Sequence, residues 1–118
     1  MFDFIQSASN YLSKYHIDNP KLEIELILCN IFQCQRIDLY TKNHTQLNSQ
    51  QLQLANDYME RRASGEPIQY IIKMAHLYGR EFFVNKDVLI PRFDSELIID
   101  ILKQHNHISD LLELGTGS

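Results

Sequence analysis

Asp110-Leu111-Leu112-Glu113-Leu114-Gly115-Thr116-Gly117-Ser118 is the stretch on which the reading of this chain turns. Its first half is short and nearly unbroken in apolar character, which predicts a strand covered on both faces. Its second half is Gly-x-Gly. Two glycines let a backbone turn tightly and approach a ligand closely, with the next helix presenting its N-terminus to that ligand. A buried strand running into Gly-x-Gly is how a nucleotide-type site opens in a doubly wound α/β fold. One strand with one helix before it cannot make a parallel sheet, which needs several βα units. The sequence is therefore expected to be the front part of a larger protein.

Working back from that stretch, Leu97, Ile98, Ile101 and Leu102 supply an inward face to a helix over Glu96–His105, capped by Asp94 or Ser95. His105-Asn106-His107 reads as a loop. Val88-Leu89-Ile90 runs into Pro91, and Asn85-Lys86-Asp87 is a turn. Leu77 to Val84 carries Gly79 in the middle of β-prone residues, which predicts a hairpin or two extended strands. Ile68 to Ile72 is a short apolar segment restarted by Glu66-Pro67.

Everything before Gly65 reads as helix. Phe4, Ile5, Ala8, Tyr11, Leu12 and Tyr15 share one stripe between Phe2 and Tyr15. His16 to Asn19 breaks it, with Asn19 as N-cap and Pro20 in the first turn of the next helix. That helix, Pro20 to about Gln33, is apolar on more than one face and is expected at the centre of a bundle. A short helix follows at Arg36–Tyr40. A long one then runs to Ser64, capped by Asn48 or Ser49 and ended by Gly65.

Composition sets outer bounds. The 118 residues suit one compact domain, or a small domain plus a piece of another. A 44% hydrophobic and 22% charged chain is ordinary for a soluble globular protein. The net charge of −4 argues against a general nucleic-acid coat while leaving room for a local basic patch. Met1-Phe2-Asp3-Phe4 places an acid where a signal peptide needs Lys or Arg. The most apolar run, Ile24 to Phe32, contains Glu25 and Asn30 and falls well short of the roughly 20 residues that span a bilayer. A cytoplasmic chain without membrane contact is expected. Cys29 and Cys34 make a lone C-x4-C and read as reduced thiols. His16, His44, His76, His105 and His107 have no metal spacing with them, so no metal site is expected.

Four segments carry a resemblance, in this order. They are Gly65-Glu66-Pro67-Ile68-Gln69-Tyr70-Ile71, Tyr78-Gly79-Arg80-Glu81-Phe82-Phe83-Val84, Val88-Leu89-Ile90-Pro91-Arg92 followed by Asp94-Ser95-Glu96, and Leu112 to Ser118. Together they resemble the HemK/PrmC family of protein-(glutamine-N5) methyltransferases, which act on class-1 peptide chain release factors. The resemblance covers the whole chain. It is specific from Gly65 onward and a matter of pattern before it. It implies an α+β fragment in three parts. A mainly α-helical bundle over 1–73 recognises the release factor, and a β-hairpin linker spans 74–90. The truncated start of a Rossmann-like α/β methyltransferase domain occupies 91–118. It also implies S-adenosylmethionine as cofactor, held by Gly115, Thr116, Gly117 and Ser118, with Pro91 and Arg92 beside that site. The substrate it implies is the Gln side-chain amide of a Gly-Gly-Gln loop. The family's catalytic Asn-Pro-Pro-Tyr motif has no counterpart among these residues, so no catalytic residue is assigned and the 118-residue chain alone is expected to be inactive. The family often has Gly where Lys73 stands and a second Pro where Phe93 stands.

Blander and rival readings stand beside this one. Gly115 and Gly117 could form an ordinary turn, Arg92 a surface ion pair, and Arg61-Arg62 a solvated pair rather than a release-factor contact. Glu66 reads as a helix-start acid. Tyr11 and Tyr15 read as core or partial core. Besides the release-factor enzyme, two function classes remain: a protein-binding helical module without chemistry, and the front of an adenine-N6-type nucleic-acid methyltransferase. The acidic charge and the absence of a basic run count against the latter. An NAD-binding reading needs a third glycine beyond Ser118. A monomer without direct nucleic-acid contact is expected.

Overall fold

The computed structural model describes residues 1–41, 46–105 and 110–117. The chain divides into two compact units, Met1–Ile72 and Lys73–Ser118.

The first unit is helical. Helix α1 spans Phe2–Leu12 and α2 spans Pro20–Phe32. Helix α3 is the short Asp38–Thr41, α4 is Ser49–Ala63, and α5 is Ile68–Ile72. The expected first helix stops earlier than its apolar stripe suggests. Ser13–Tyr15 tighten into a 3-10 turn and His16 takes a left-handed conformation at φ 56. Tyr15 ends up exposed, its ring 5.3 Å from that of Tyr11. The Asn19 side chain accepts the backbone N–H of Leu22, with Pro20 entering the first turn. This caps α2 in the manner the sequence predicts. Asn48 and Gln51 form a reciprocal capping box at the start of α4. The apolar run Ile68–Ile72 is a short helix.

Helix α2 is the centre of this unit and packs on α1, α3, α4 and α5. Its Ile24, Ile27 and Leu28 are buried with Leu12, Ala55 and Ile71. Such side chains each contribute about 1.5–3 kcal/mol relative to an exposed position. Asn30 donates from Nδ2 to the Ile72 carbonyl at 3.2 Å, tying the end of α5 to α2.

The second unit begins with an antiparallel hairpin, β1 Met74–Leu77 and β2 Arg80–Phe83, with Leu77 opposite Arg80. The two-residue loop Tyr78-Gly79 has φ of 50 and 73, the paired left-handed geometry that matches strand twist. Lys73 enters the hairpin at φ 57, a conformation that favours glycine. Helix α6 follows at Asp94–Lys103. It starts two residues earlier than expected: Asp94 lies inside the first turn, and Phe93 precedes it without a side-chain cap.

Two expectations for this unit need correction. Leu97, Ile98 and Ile101 of α6 are exposed rather than inward. The helix docks by its polar side instead. Tyr78 donates its N–H to Glu96 Oε1 at 2.8 Å and its hydroxyl to Asp100 Oδ1 at 2.7 Å. Lys103 Nζ donates to the Tyr78 hydroxyl at 2.9 Å and lies 4.2 Å from the ring centroid. Glu96, Asp100 and Lys103 form one stripe at helical spacing, which turns the apolar stripe away. The second correction concerns Asp110–Leu114. It forms no strand, and Leu112 and Leu114 are over four-fifths exposed. A strand needs a ladder partner, and β1–β2 is the only sheet among the described residues. The described chain is therefore α+β, helices with a two-stranded antiparallel sheet. The parallel sheet of a Rossmann-like domain is not part of it.

Candidate functional site

The residues expected at a cofactor site fall in two segments. Pro91 and Arg92 lie between the hairpin and α6, where the Arg92 carbonyl accepts the Ser95 N–H at 3.0 Å and helps start the helix. The Arg92 side chain is exposed. Gly115, Thr116 and Gly117 are exposed, with both glycines left-handed at φ 73 and 77. Ser118 lies outside the described residues, as do His44 and the Asn106-His107 part of the expected loop. Among the described residues, no hydrogen bond or ion pair joins Pro91–Arg92 to Gly115–Gly117. The glycine turn fits a close-approach ligand loop in one respect. Its backbone takes a conformation that β-carbon-bearing residues avoid, and nothing within 4 Å crowds either glycine.

The helical unit holds a polar centre that the sequence reading passed over. Glu25 is 2% exposed in the middle of α2. Arg36 donates to its Oε2 from Nε at 2.9 Å and Nη2 at 2.5 Å, and the Tyr40 hydroxyl donates to Oε1 at 2.5 Å. Burial pushes the Glu25 carboxyl up. The hydrogen bonds from Tyr40 and Arg36, with the Arg36 charge and that of Lys21, outweigh it and hold the group below its ordinary 4.5. The same contact raises the Tyr40 phenol. The signal is present in the sequence: an acid inside the most apolar run of the chain, Ile24 to Phe32, demands a partner. A depressed carboxyl stabilises the fold above its unfolded pKa, and the contribution is lost as pH falls through the folded value. Stability is therefore expected to be flat from about pH 7 to 5 and to fall below about pH 4.5. Glu66, lowered by Arg61, adds in the same direction. Urea midpoints measured across pH 3–7 test this. Glu25→Gln should flatten the acid limb while lowering the neutral-pH midpoint.

Arg61 and Arg62 are not a solvated pair. Arg61 grips Glu66 through Nε at 2.8 Å and Nη2 at 2.7 Å. Arg62 grips Glu23 of α2 through Nε at 2.5 Å and Nη2 at 3.1 Å. Two-point contacts of this kind fix geometry as well as charge. Arg62–Glu23 pins α4 to α2, and Arg61–Glu66 closes the turn after α4. Glu66 thus serves as a partner for Arg61. An open, partly apolar hollow of about 220 Å³ lies between the start of α1 and the start of α4, lined by Met1, Phe4, Gln46, Leu47 and Leu52. No helix is long and apolar enough to cross a membrane among the described residues.

Comparison with known proteins joins these observations. The chain is 34% identical over 105 residues to a release factor glutamine methyltransferase of Buchnera aphidicola subsp. Schizaphis graminum, an alignment covering 87% of this chain and 38% of that protein. It is 35% identical over 109 residues to the release factor glutamine methyltransferase of Geobacter sulfurreducens, covering 92% of this chain and 38% of the relative. It is 35% identical over 114 residues to a bifunctional methyltransferase of Rickettsia bellii, covering 97% and 20% respectively. The chain thus spans about a fifth to two-fifths of the curated relatives it matches. These relatives are named as methyltransferases, and the similarity runs over most of the chain. Residues 3–72 match the model of the PrmC N-terminal domain, and the chain belongs to that family.

Proposed function

We propose that this chain is the front part of an S-adenosylmethionine-dependent methyltransferase whose substrate is the Gln side-chain amide of the Gly-Gly-Gln motif in class-1 peptide chain release factors. The helical unit over 1–73 serves to recognise the release factor, residues 74–90 link it to the catalytic domain, and residues 91–118 begin that domain. The observation that carries the reading is the similarity to proteins named release factor glutamine methyltransferase, which runs through both units of this chain. The uncovered stripe of α6 and the exposed Leu111, Leu112 and Leu114 support it, since this is surface that a larger α/β sheet buries.

An amide nitrogen is a poor nucleophile. The cofactor supplies an electrophilic methyl group when bound. The protein must then hold the amide in line with it and orient the nitrogen lone pair, so positioning is the main lever. In this chain the Gly115–Gly117 turn would cradle the cofactor, with Ser118 continuing the loop and Pro91 and Arg92 at its side. The groups that grip the amide are not among these residues, and the 118-residue chain alone is inactive in this reading. The protein is proposed to act as a cytoplasmic monomer without direct nucleic-acid contact.

The test uses S-adenosylmethionine with a radiolabelled methyl group, a class-1 release factor, and its Gln→Ala loop variant. The protein at the length of its relatives should label the first and not the second. The 118-residue chain should label neither. Label on the Gln→Ala factor, or on adenine-containing DNA instead, would overturn the substrate assignment.

A further inference from the structure

Helix α2 ends in a turn that folds the backbone of Cys34 back onto that of Cys29. Gln33 adopts φ 50 and ψ 51, and the chain folds back so that both the Gln33 and the Cys34 N–H groups reach the Cys29 carbonyl, the latter at 3.1 Å. In this kind of helix ending, the residue after the left-handed position packs its side chain on the residue five places earlier. That contact is ordinarily apolar. Here both of these positions are cysteines. Both are free and partly exposed. Cys34, the Arg36 guanidinium, the Glu25 carboxylate and the Tyr40 hydroxyl are the titratable groups near enough to act electrostatically on Cys29.

We propose that Cys29 and Cys34 form a dithiol modification site, which a small disulfide oxidant such as oxidised glutathione closes into an intramolecular bridge across the end of α2. Burial, with the neighbouring Cys34 thiol, pushes the Cys29 thiol up to about 11, which makes Cys29 a slow first nucleophile at pH 8, and the proposed sequence starts at Cys34. The Cys34 thiolate forms a bond to one glutathione sulfur, the oxidant's S–S bond breaks, and one glutathione leaves with the electron pair. Cys29 then gives its proton to solvent and attacks the Cys34 sulfur, expelling the second glutathione. Two protein thiols are oxidised and one glutathione disulfide is reduced to two thiols. The bridge fixes the turn that delivers Arg36 and Tyr40 to Glu25, so its readout lies within the helical unit and is independent of any methyl transfer.

The experiment incubates the 118-residue chain with excess oxidised glutathione at pH 8, quenches with acid and measures intact mass and free thiols over time. The expected result is transient addition of one glutathione. The end product has no free thiol, no retained glutathione and two hydrogens fewer. Cys29→Ser should stop at one stable glutathione adduct. In unfolding urea, closure of the wild-type chain should slow by about tenfold or more, because the fold no longer holds the sulfurs together. Stable glutathione adducts on both cysteines, no reaction at all, or closure as fast in urea as in buffer would each overturn the site.

Discussion

Leu28→Ala is expected to lower the stability of the helical unit by about 3.5 kcal/mol, the middle of the range for a large-to-small change in a packed core. Leu28 is 0% exposed in α2, the helix on which α1, α3, α4 and α5 all pack. A unit of 72 residues has a total stability of about 4–10 kcal/mol. The loss is therefore a third or more of what holds it folded. In a unit of this size it shifts the melting temperature down by more than about 10 °C. Thermal unfolding followed at 222 nm measures it. Leu54→Ala is the control, since Leu54 is 40% exposed and its truncation should move the midpoint by only a degree or two. Equal shifts for the two variants would show that α2 is not the centre of the core.

That prediction rests on an element the sequence announces. Helix α2 is apolar around more than one face, and only a helix surrounded by others tolerates that. Its capping by Asn19 and Pro20, and the capping box at Asn48, are local chemistry and equally readable. So is the hairpin, because Gly79 sits where strand pairing needs a left-handed residue.

What the sequence does not announce depends on partners distant along the chain. Glu25 looks like an interruption in a greasy run until Arg36 and Tyr40 return to it, 11 and 15 residues later. Arg61 and Arg62 look solvated until Glu66 and Glu23 claim them. The outer face of α6 has a similar origin. Its apolar stripe is real, but periodicity says only that a face wants cover, not which element supplies it. The Tyr78 contacts with Glu96, Asp100 and Lys103 fix the helix by its other side. Asp110–Leu114 has the residue types of a strand and no more than that. A strand is a property of two segments, and pairing with another segment is what converts apolar character into β structure.

Gly117→Val, placed in the protein at the length of its relatives, is expected to reduce affinity for S-adenosylmethionine by at least about tenfold. Gly117 sits at φ 77 and Gly115 at φ 73. A β-branched side chain in this region is strained by roughly 1–2 kcal/mol or more. A β-carbon added at Gly117 meets nothing within 4 Å, so the position itself is not crowded. Its effect should therefore fall on the loop's conformation and on the approach of a ligand to the backbone, not on folding. Two measurements separate these. Titration calorimetry with S-adenosylmethionine should show the loss, while the melting temperature without cofactor stays within a degree or two of wild type. Gly117→Asn is the graded control, because asparagine tolerates the left-handed region better than valine. It should lie between valine and wild type. Unchanged affinity in the valine variant would remove the glycine turn from the cofactor site. A large drop in melting temperature would mean that this turn supports the fold instead, and the proposed cradle would have to be sought elsewhere in the chain.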